Sequence, residues 1–262
     1  MAANETPDPY ANYDVTAKQN ATNERSAAAR LDRTTEDALY KLYRSFFQEA
    51  EQTRRWNLWL DFPWDEPPTR PTTPLIEAVV TAYHAELFLP DYAARALYYL
   101  RSSRGRAWFL TRWTYEEGKH LLALAEWLLH CGAYSNDQLR AQSDDLLLRY
   151  TWEPPFEDAA AILADFLLWE LREADRYRTL RHLAVSENET LLAALLDEII
   201  KDEDAHRAFL RQCLTIIAEI YPDQVTGAVR RIAERNTSGD DGADFGGSLL
   251  AELGITPGAP LL

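Results

Sequence analysis

The chain of 262 residues carries 42 acidic against 27 basic side chains, a net charge of −15, which excludes nucleic acid as a bulk partner and leaves docking to an acidic protein dependent on a local basic patch. A hydrophobic fraction of 47 %, with ten glycines and thirteen prolines, fits one sizeable core or at most two small ones and excludes a collagenous or broadly disordered chain. No run approaches the roughly 18 apolar residues that cross a bilayer and no basic-then-apolar leader opens the sequence, so no membrane association and a cytoplasmic location are expected.

Residues 1–33, polar and Ala-rich with Pro7 and Pro9, are expected to form a flexible arm. A first helix is expected from Thr34 or Thr35 to about Trp56, with Glu36 and Asp37 suiting its N-terminal turn. Pro63, Pro67, Pro68, Pro71 and Pro74 make the next segment a loop. From Leu75, the residues Ile76, Val79, Tyr83 and Glu86 recur at helical steps, and Pro90 should kink or divide that helix. Gly105 is expected to separate it from a third helix over about 107–129. The stripe of that helix reads Leu110, Trp113, Glu117, His120, Leu124, Trp127, Cys131, apolar except for Glu117 and His120. A peripheral helix near 136–150 and a break at Pro154-Pro155 precede a long helix over about 157–183, with Leu163, Leu167, Glu170, Ala174 and Tyr177 on one face. The next helix runs from near Glu187 to before Pro222 on the stripe Leu192, Leu196, Ile199, Glu203, His206, Leu210, Cys213, Ile217. A last helix covers about 223–236, and 237–262 is expected to be a loosely ordered tail. Cys131 and Cys213 lack CxxC spacing and read as reduced thiols. No β pattern is present, so the expected domain is an all-α bundle over 34–236.

Chemistry concentrates in two repeats of one pattern, Glu117-x-x-His120 and Glu203-x-x-His206. A step of three residues places both side chains on one side of a helix. Each pair interrupts an apolar stripe, where a charge is costly without a strong partner. Carboxylate and imidazole together suit iron or manganese. A Glu-x-x-His on each of two helices plus one Glu from each of two others is the ligand set of ferritin-like carboxylate bundles. Glu86 and Glu170 are in phase to supply the missing pair. His84, His130 and His182 fit no such pattern. Neither a zinc-protease HExxH nor a GxSxG elbow occurs.

These motifs resemble those of the soluble acyl-[acyl-carrier-protein] desaturases over about residues 40–220. Trp113-Thr-Tyr-Glu-Glu-Gly-Lys-His120 is similar to that family's W-T-x-E-E-N-R-H, and Asp202-Glu-Asp-Ala-His206 to its D-E-x-x-H. Ala85-Glu-Leu-Phe-Leu-Pro-Asp-Tyr92 is similar to E-x-x-L-P-x-Y, and Trp56 with Asp61-Phe-Pro-Trp64 to its W-x-x-x-D-x-x-P region. The resemblance implies a ferritin-like four-helix bundle with flanking helices. It also implies two irons held by Glu86, Glu117, His120, Glu170, Glu203 and His206, with Glu117 and Glu203 bridging. Asp202 would orient a ligand histidine, and Trp56 would lie near Asp202 on an electron route. A homodimer, a ferredoxin-type electron donor and an acyl chain on acyl carrier protein complete what it implies.

The sequence departs from that family in three places. Gly118-Lys119 replaces N-R, a change expected to alter only the surface. Glu173 stands where the family usually has Thr near the oxygen side. Facing inward it would act as ligand or proton donor and favour oxygenation over desaturation; otherwise it turns to Arg176 or Tyr177. The loops near 60–75 and 101–106, and the tail, are shorter. Two arginine groups, Arg101/Arg104/Arg106 and Arg172/Arg176/Arg178/Arg181, are candidate carrier docks or merely solvated faces. In order, the readings are a diiron desaturase, a related hydroxylase or N-oxygenase, and a ferritin-like iron-handling protein.

Overall fold

The computed structural model describes residues 29–151, 158–236 and 244–256, and among these every regular element is an α-helix. The expected Pro154-Pro155 break, and the arm and tail outside these ranges, lie outside the described residues. Helix α1 spans Arg33–Thr53, starting one residue earlier than Thr34 because Asp32 caps it, its carboxylate accepting from the Thr34 and Thr35 amides. Pro90 divides the next helical stretch, giving α2 (Thr73–Glu86) and α3 (Leu89–Leu100), with the proline in the first turn of α3 where its missing N–H costs nothing. Then follow α4 (Arg104–His130), α5 (Asn136–Arg149), α6 (Ala159–Ser186), α7 (Thr190–Ala218) and α8 (Pro222–Arg235). A capping box between Ser135 and Gln138 starts α5.

The long helices α6 and α7 pair most extensively; α2 packs on both α4 and α6, and α4 on α7. These four make the bundle. Helix α1 covers α4 and α7, α3 covers α4 and α6, and α8 lies on α6 and α7. The core has two apolar layers. One is built around Phe109, Leu110, Trp113, Leu163, Leu167, Phe209 and Leu210, the other around Leu75, Val79, Leu124, Trp127, Leu180, Leu192 and Ile199. Along α4 and α7 the two Glu-x-x-His pairs fall between those layers. Each fully buried leucine contributes about 1.5–3 kcal/mol, so the layers hold the polar zone between them in register.

Two expectations need correction. The segment 237–262 is not loosely ordered throughout: α9 (Phe245–Glu252) forms within it, capped by Asp244 and packed on α8 and α6 through buried Leu249. Gly105 does not separate two helices but lies inside the first turn of α4. A Cβ there would meet the Leu39 carbonyl carbon of α1 at 2.5 Å, so the glycine permits a backbone-to-backbone approach rather than ending a helix. Gly105→Ala is therefore expected to push α1 from α4 and to cost about 1–3 kcal/mol, read as a lower thermal midpoint with helix content unchanged. Both cysteines are free, and among the described residues no helix is long and apolar enough to cross a membrane.

Candidate metal centre

Six side chains named from the sequence meet in the middle of the bundle. Glu86 comes from the last turn of α2, Glu117 and His120 from α4, Glu170 from α6, and Glu203 and His206 from α7; all six are fully buried. They fall into two groups whose ligand atoms lie within 4.8 Å of one another: Glu117, Glu170, Glu203 and His206 in one, and Glu86, Glu117 and His120 in the other. Glu117 belongs to both. Glu203 also reaches toward the second, its Oε1 3.2 Å from His120 Nδ1.

The unsatisfied atoms point to a cation. Glu86 Oε2, both oxygens of Glu117, Glu170 Oε2, both oxygens of Glu203 and the Nδ1 atoms of both histidines are buried without a hydrogen-bond partner. An isolated polar atom left so costs about 1–3 kcal/mol, and here they converge. The other oxygens of Glu86 and Glu170 are tied down. Tyr177 donates to Glu86 Oε1 at 2.6 Å, and the Trp113 indole donates to Glu170 Oε1 at 2.5 Å. Carboxylate and imidazole donors in this number fit iron or manganese. Burial and the neighbouring carboxylates push Glu86 and Glu203 well above the ordinary range. Against the upward push of burial, His120 and His206 hold Glu117 down to about 2. Four carboxylates and two imidazoles gathered in one buried zone form a donor set that suits a bound cation.

The outer atoms of the histidines are held crosswise. His206 Nε2, from α7, lies 2.8 Å from Glu116 Oε2 of α4, while His120 Nε2, from α4, lies 3.5 Å from Asp202 Oδ2 of α7. Such contacts fix ring orientation and tautomer. One guanidinium joins the two acids: Arg54 Nη1 sits 2.5 Å from Asp202 and 3.5 Å from Glu116. Although burial works to raise it, the His120 contact holds Asp202 well below the usual carboxylate range. Trp56, just past the end of α1, donates its indole N–H to Asp202 Oδ2 at 2.9 Å, and its ring lies parallel to that of His120 with centroids 6.5 Å apart. Lys119 Nζ sits 3.9 Å above the Trp56 ring. Trp56 also forms part of the wall of a surface cleft of about 670 Å³, with Arg55, Phe62, Asp197 and Lys201.

Glu173 is fully buried, but both its oxygens accept from Arg176 Nη1, at 2.6 and 2.8 Å, the turn to Arg176 that the sequence left open, and it belongs to neither ligand group. Burial, reinforced by Glu203 and Glu117 and opposed by Arg176, pushes its carboxyl up to about 8. Beyond Trp113 a cavity of about 10 Å³, lined by Tyr92, Asp165, Phe166 and Trp169, has room for about one water molecule.

Sequence reasoning missed Glu116 and Arg54. Glu116 had a signal, since it precedes Glu117 as Asp202 precedes Glu203. Arg54 had none. The arginine groups also need correction: Arg106 is buried and bound to Glu36, Ser103 and the Ala29 carbonyl, so it is no dock. Arg172, Arg176, Arg178 and Arg181 are engaged by Asn236, Glu173, Asp204 and Asp197.

Residues 103–220 match the family model of the ferritin-like domain. That span carries every ligand candidate except Glu86, and the architecture is an all-α ferritin-like bundle. No curated protein matches the chain, and no solved structure does.

Proposed function

We propose that this ferritin-like bundle holds two iron ions and carries out an O₂-dependent oxidation of an unactivated C–H bond. Its substrate would be a fatty acyl chain presented on acyl carrier protein, its product a double bond, and its electrons would come from a ferredoxin-type protein. The observation that carries the reading is the set of unpartnered donor atoms converging on two positions that share Glu117. Glu86, Glu117 and His120 would hold one ion, and Glu117, Glu170, Glu203 and His206 the other; manganese would meet the same donors. When bound, the reduced ions supply the electrons that activate O₂ and the oxidising power for C–H cleavage.

The chain's own residues do the rest. Tyr177 and Trp113 fix the Glu86 and Glu170 carboxylates, and Glu116 and Asp202 fix the imidazoles. The contact series Trp56–Asp202–His120 offers a hydrogen-bonded route from the surface cleft to the centre. Apolar layers on both sides exclude water, which strengthens every charge interaction between them.

A second reading, oxygenation of the substrate, is favoured by Glu173, because a buried carboxyl with a pKa of about 8 carries a proton at neutral pH. Single turnover separates the two. Iron-loaded, reduced protein is given a mixed pool of acyl carrier proteins and O₂, and the acyl products are weighed. Loss of two hydrogens supports desaturation and gain of one oxygen supports oxygenation. Oxidised iron with unchanged acyl chains would overturn the acyl substrate and point to small amines or iron handling.

A further inference from the structure

The Gly118-Lys119 pair reads as a surface change in the sequence, but the structure turns Lys119 inward. Its side chain is only 12 % exposed. Its ammonium sits 3.9 Å above the centre of the Trp56 ring, with the Tyr115 ring centre 5.7 Å away. Asp202 Oδ2, the carboxylate oxygen it faces, is 3.6 Å off, longer than a hydrogen bond. A lysine held in this way gives up most of the water that a strongly hydrated ammonium prefers. The indole face is therefore part of what holds the charge in place, at a distance well inside the cation–π range.

Trp56 is pulled in two directions. Asp202 Oδ2 accepts its N–H at 2.9 Å. A carboxylate there favours loss of an electron from the indole, because it steadies the positive charge left behind and can take the proton. Lys119 on the ring face opposes that loss. Arg54 opposes it too, since its Nη1 lies 2.5 Å from Asp202 and draws on the same carboxylate. Trp56 and Arg54 are buried and Lys119 nearly so, so water screens these charges weakly.

We infer that Lys119 guards Trp56 against one-electron oxidation. The inference rests on the electron route proposed above. A series Trp56–Asp202–His120 that leads from the surface cleft to an oxidising centre is also a way for oxidising power to leave it: one electron would move from the indole to the centre and the indole proton to Asp202. A positive charge on the ring face disfavours that step. It does not hinder inward transfer, in which the indole serves only as a bridge and carries no charge of its own. Lys119 thereby keeps oxidising power at the centre, for the substrate.

A one-electron oxidant supplied from outside tests this on the full chain without added iron, acyl carrier protein or O₂. Ruthenium(III) tris-bipyridine is generated by light with a cobalt(III) ammine as the electron acceptor. Conversion of a tryptophan to hydroxytryptophan passes two electrons to two equivalents of ruthenium(III), takes one oxygen from water and releases two protons. Peptide fragment masses locate the added oxygen. Trp59, exposed on the neighbouring turn, is the reference within each sample. Lys119→Met keeps the stem and removes the charge, and should speed oxidation of Trp56 about tenfold with Trp59 unchanged. Lys119→Arg restores the charge and should stay at the wild-type rate. Equal Trp56 rates in wild type and Lys119→Met, or a Lys119→Arg variant oxidised as fast as Lys119→Met, would overturn the inference, and neither result depends on whether the bundle holds iron or acts on an acyl chain.

Discussion

Glu117→Gln is expected to empty the centre without unfolding the bundle. The substitution keeps volume and shape, so the apolar layers around it stay packed. It removes the anionic oxygens that both ligand groups share, and an amide is a far weaker ligand for a hard cation. Iron content per chain should fall from about two, the number that this kind of ligand set holds, to well below one. Substrate oxidation should fall with it by at least about 100-fold, on the scale of losing groups that act as a unit. Thermal unfolding gives a second readout. A ligand that binds only the folded state at 100 to 1,000 times its dissociation constant adds about 2.7–4.1 kcal/mol, so added iron should raise the midpoint of the wild type and leave that of Glu117→Gln unmoved. A variant that keeps both irons would show that Glu117 is not shared.

Glu173→Gln is expected to keep the metal and lose the rate. The folded-state pKa of about 8 lies above the ordinary carboxyl value of 4.5, so the carboxyl holds its proton below about 8 and releases it as the pH rises through that value. If this proton is delivered to oxygen during turnover, wild-type activity should decline through about pH 8. The Gln variant should be slower by about 10²-fold or more, the usual contribution of a positioned acid, and should lose that decline. Stability follows the same sign: the neutral acid is the form that suits the buried site, so its contribution is full below about 4.5 and lost as the pH rises toward 8. Product identity is the sharper measurement. Glu173→Thr should shift any oxygenated product toward desaturated product. If instead iron is lost from both variants, Glu173 is a ligand and not a proton donor.

Much of this was legible because metal ligation imposes a period. Glu and His three residues apart on an apolar stripe violate the pattern of a core so strongly that the four residues of the repeats stand out, and Glu86 and Glu170 follow from phase. The helices were equally plain, with boundaries displaced by a few residues where caps such as Asp32 decide the start. What stayed hidden depends on contacts between segments distant in sequence. Arg54 acts 148 residues away from Asp202, and no local pattern distinguishes it from Arg55, which is exposed. Gly105 read as a boundary because glycine usually breaks helices, whereas here the deciding term is the nearness of the α1 backbone. Helix α9 lay in a segment whose composition is Gly/Asp-rich, yet one buried leucine and an aspartate cap suffice to dock it on α8.

The crossed support of the two imidazoles has a consequence for anyone who would miniaturise this protein. Transplanting α2, α4, α6 and α7 into a simpler scaffold would carry over all six ligand candidates. It would leave behind α1, and with it the single guanidinium that spans Glu116 and Asp202. Each acid steadies the histidine of the opposite helix, so a slip of α4 against α7 would disturb both imidazoles together rather than one. Arg54 is the buckle on that pair of crossed straps, and a stripped-down copy would keep only Arg112 on Glu116 and Lys119 on Asp202, each cation holding one strap alone.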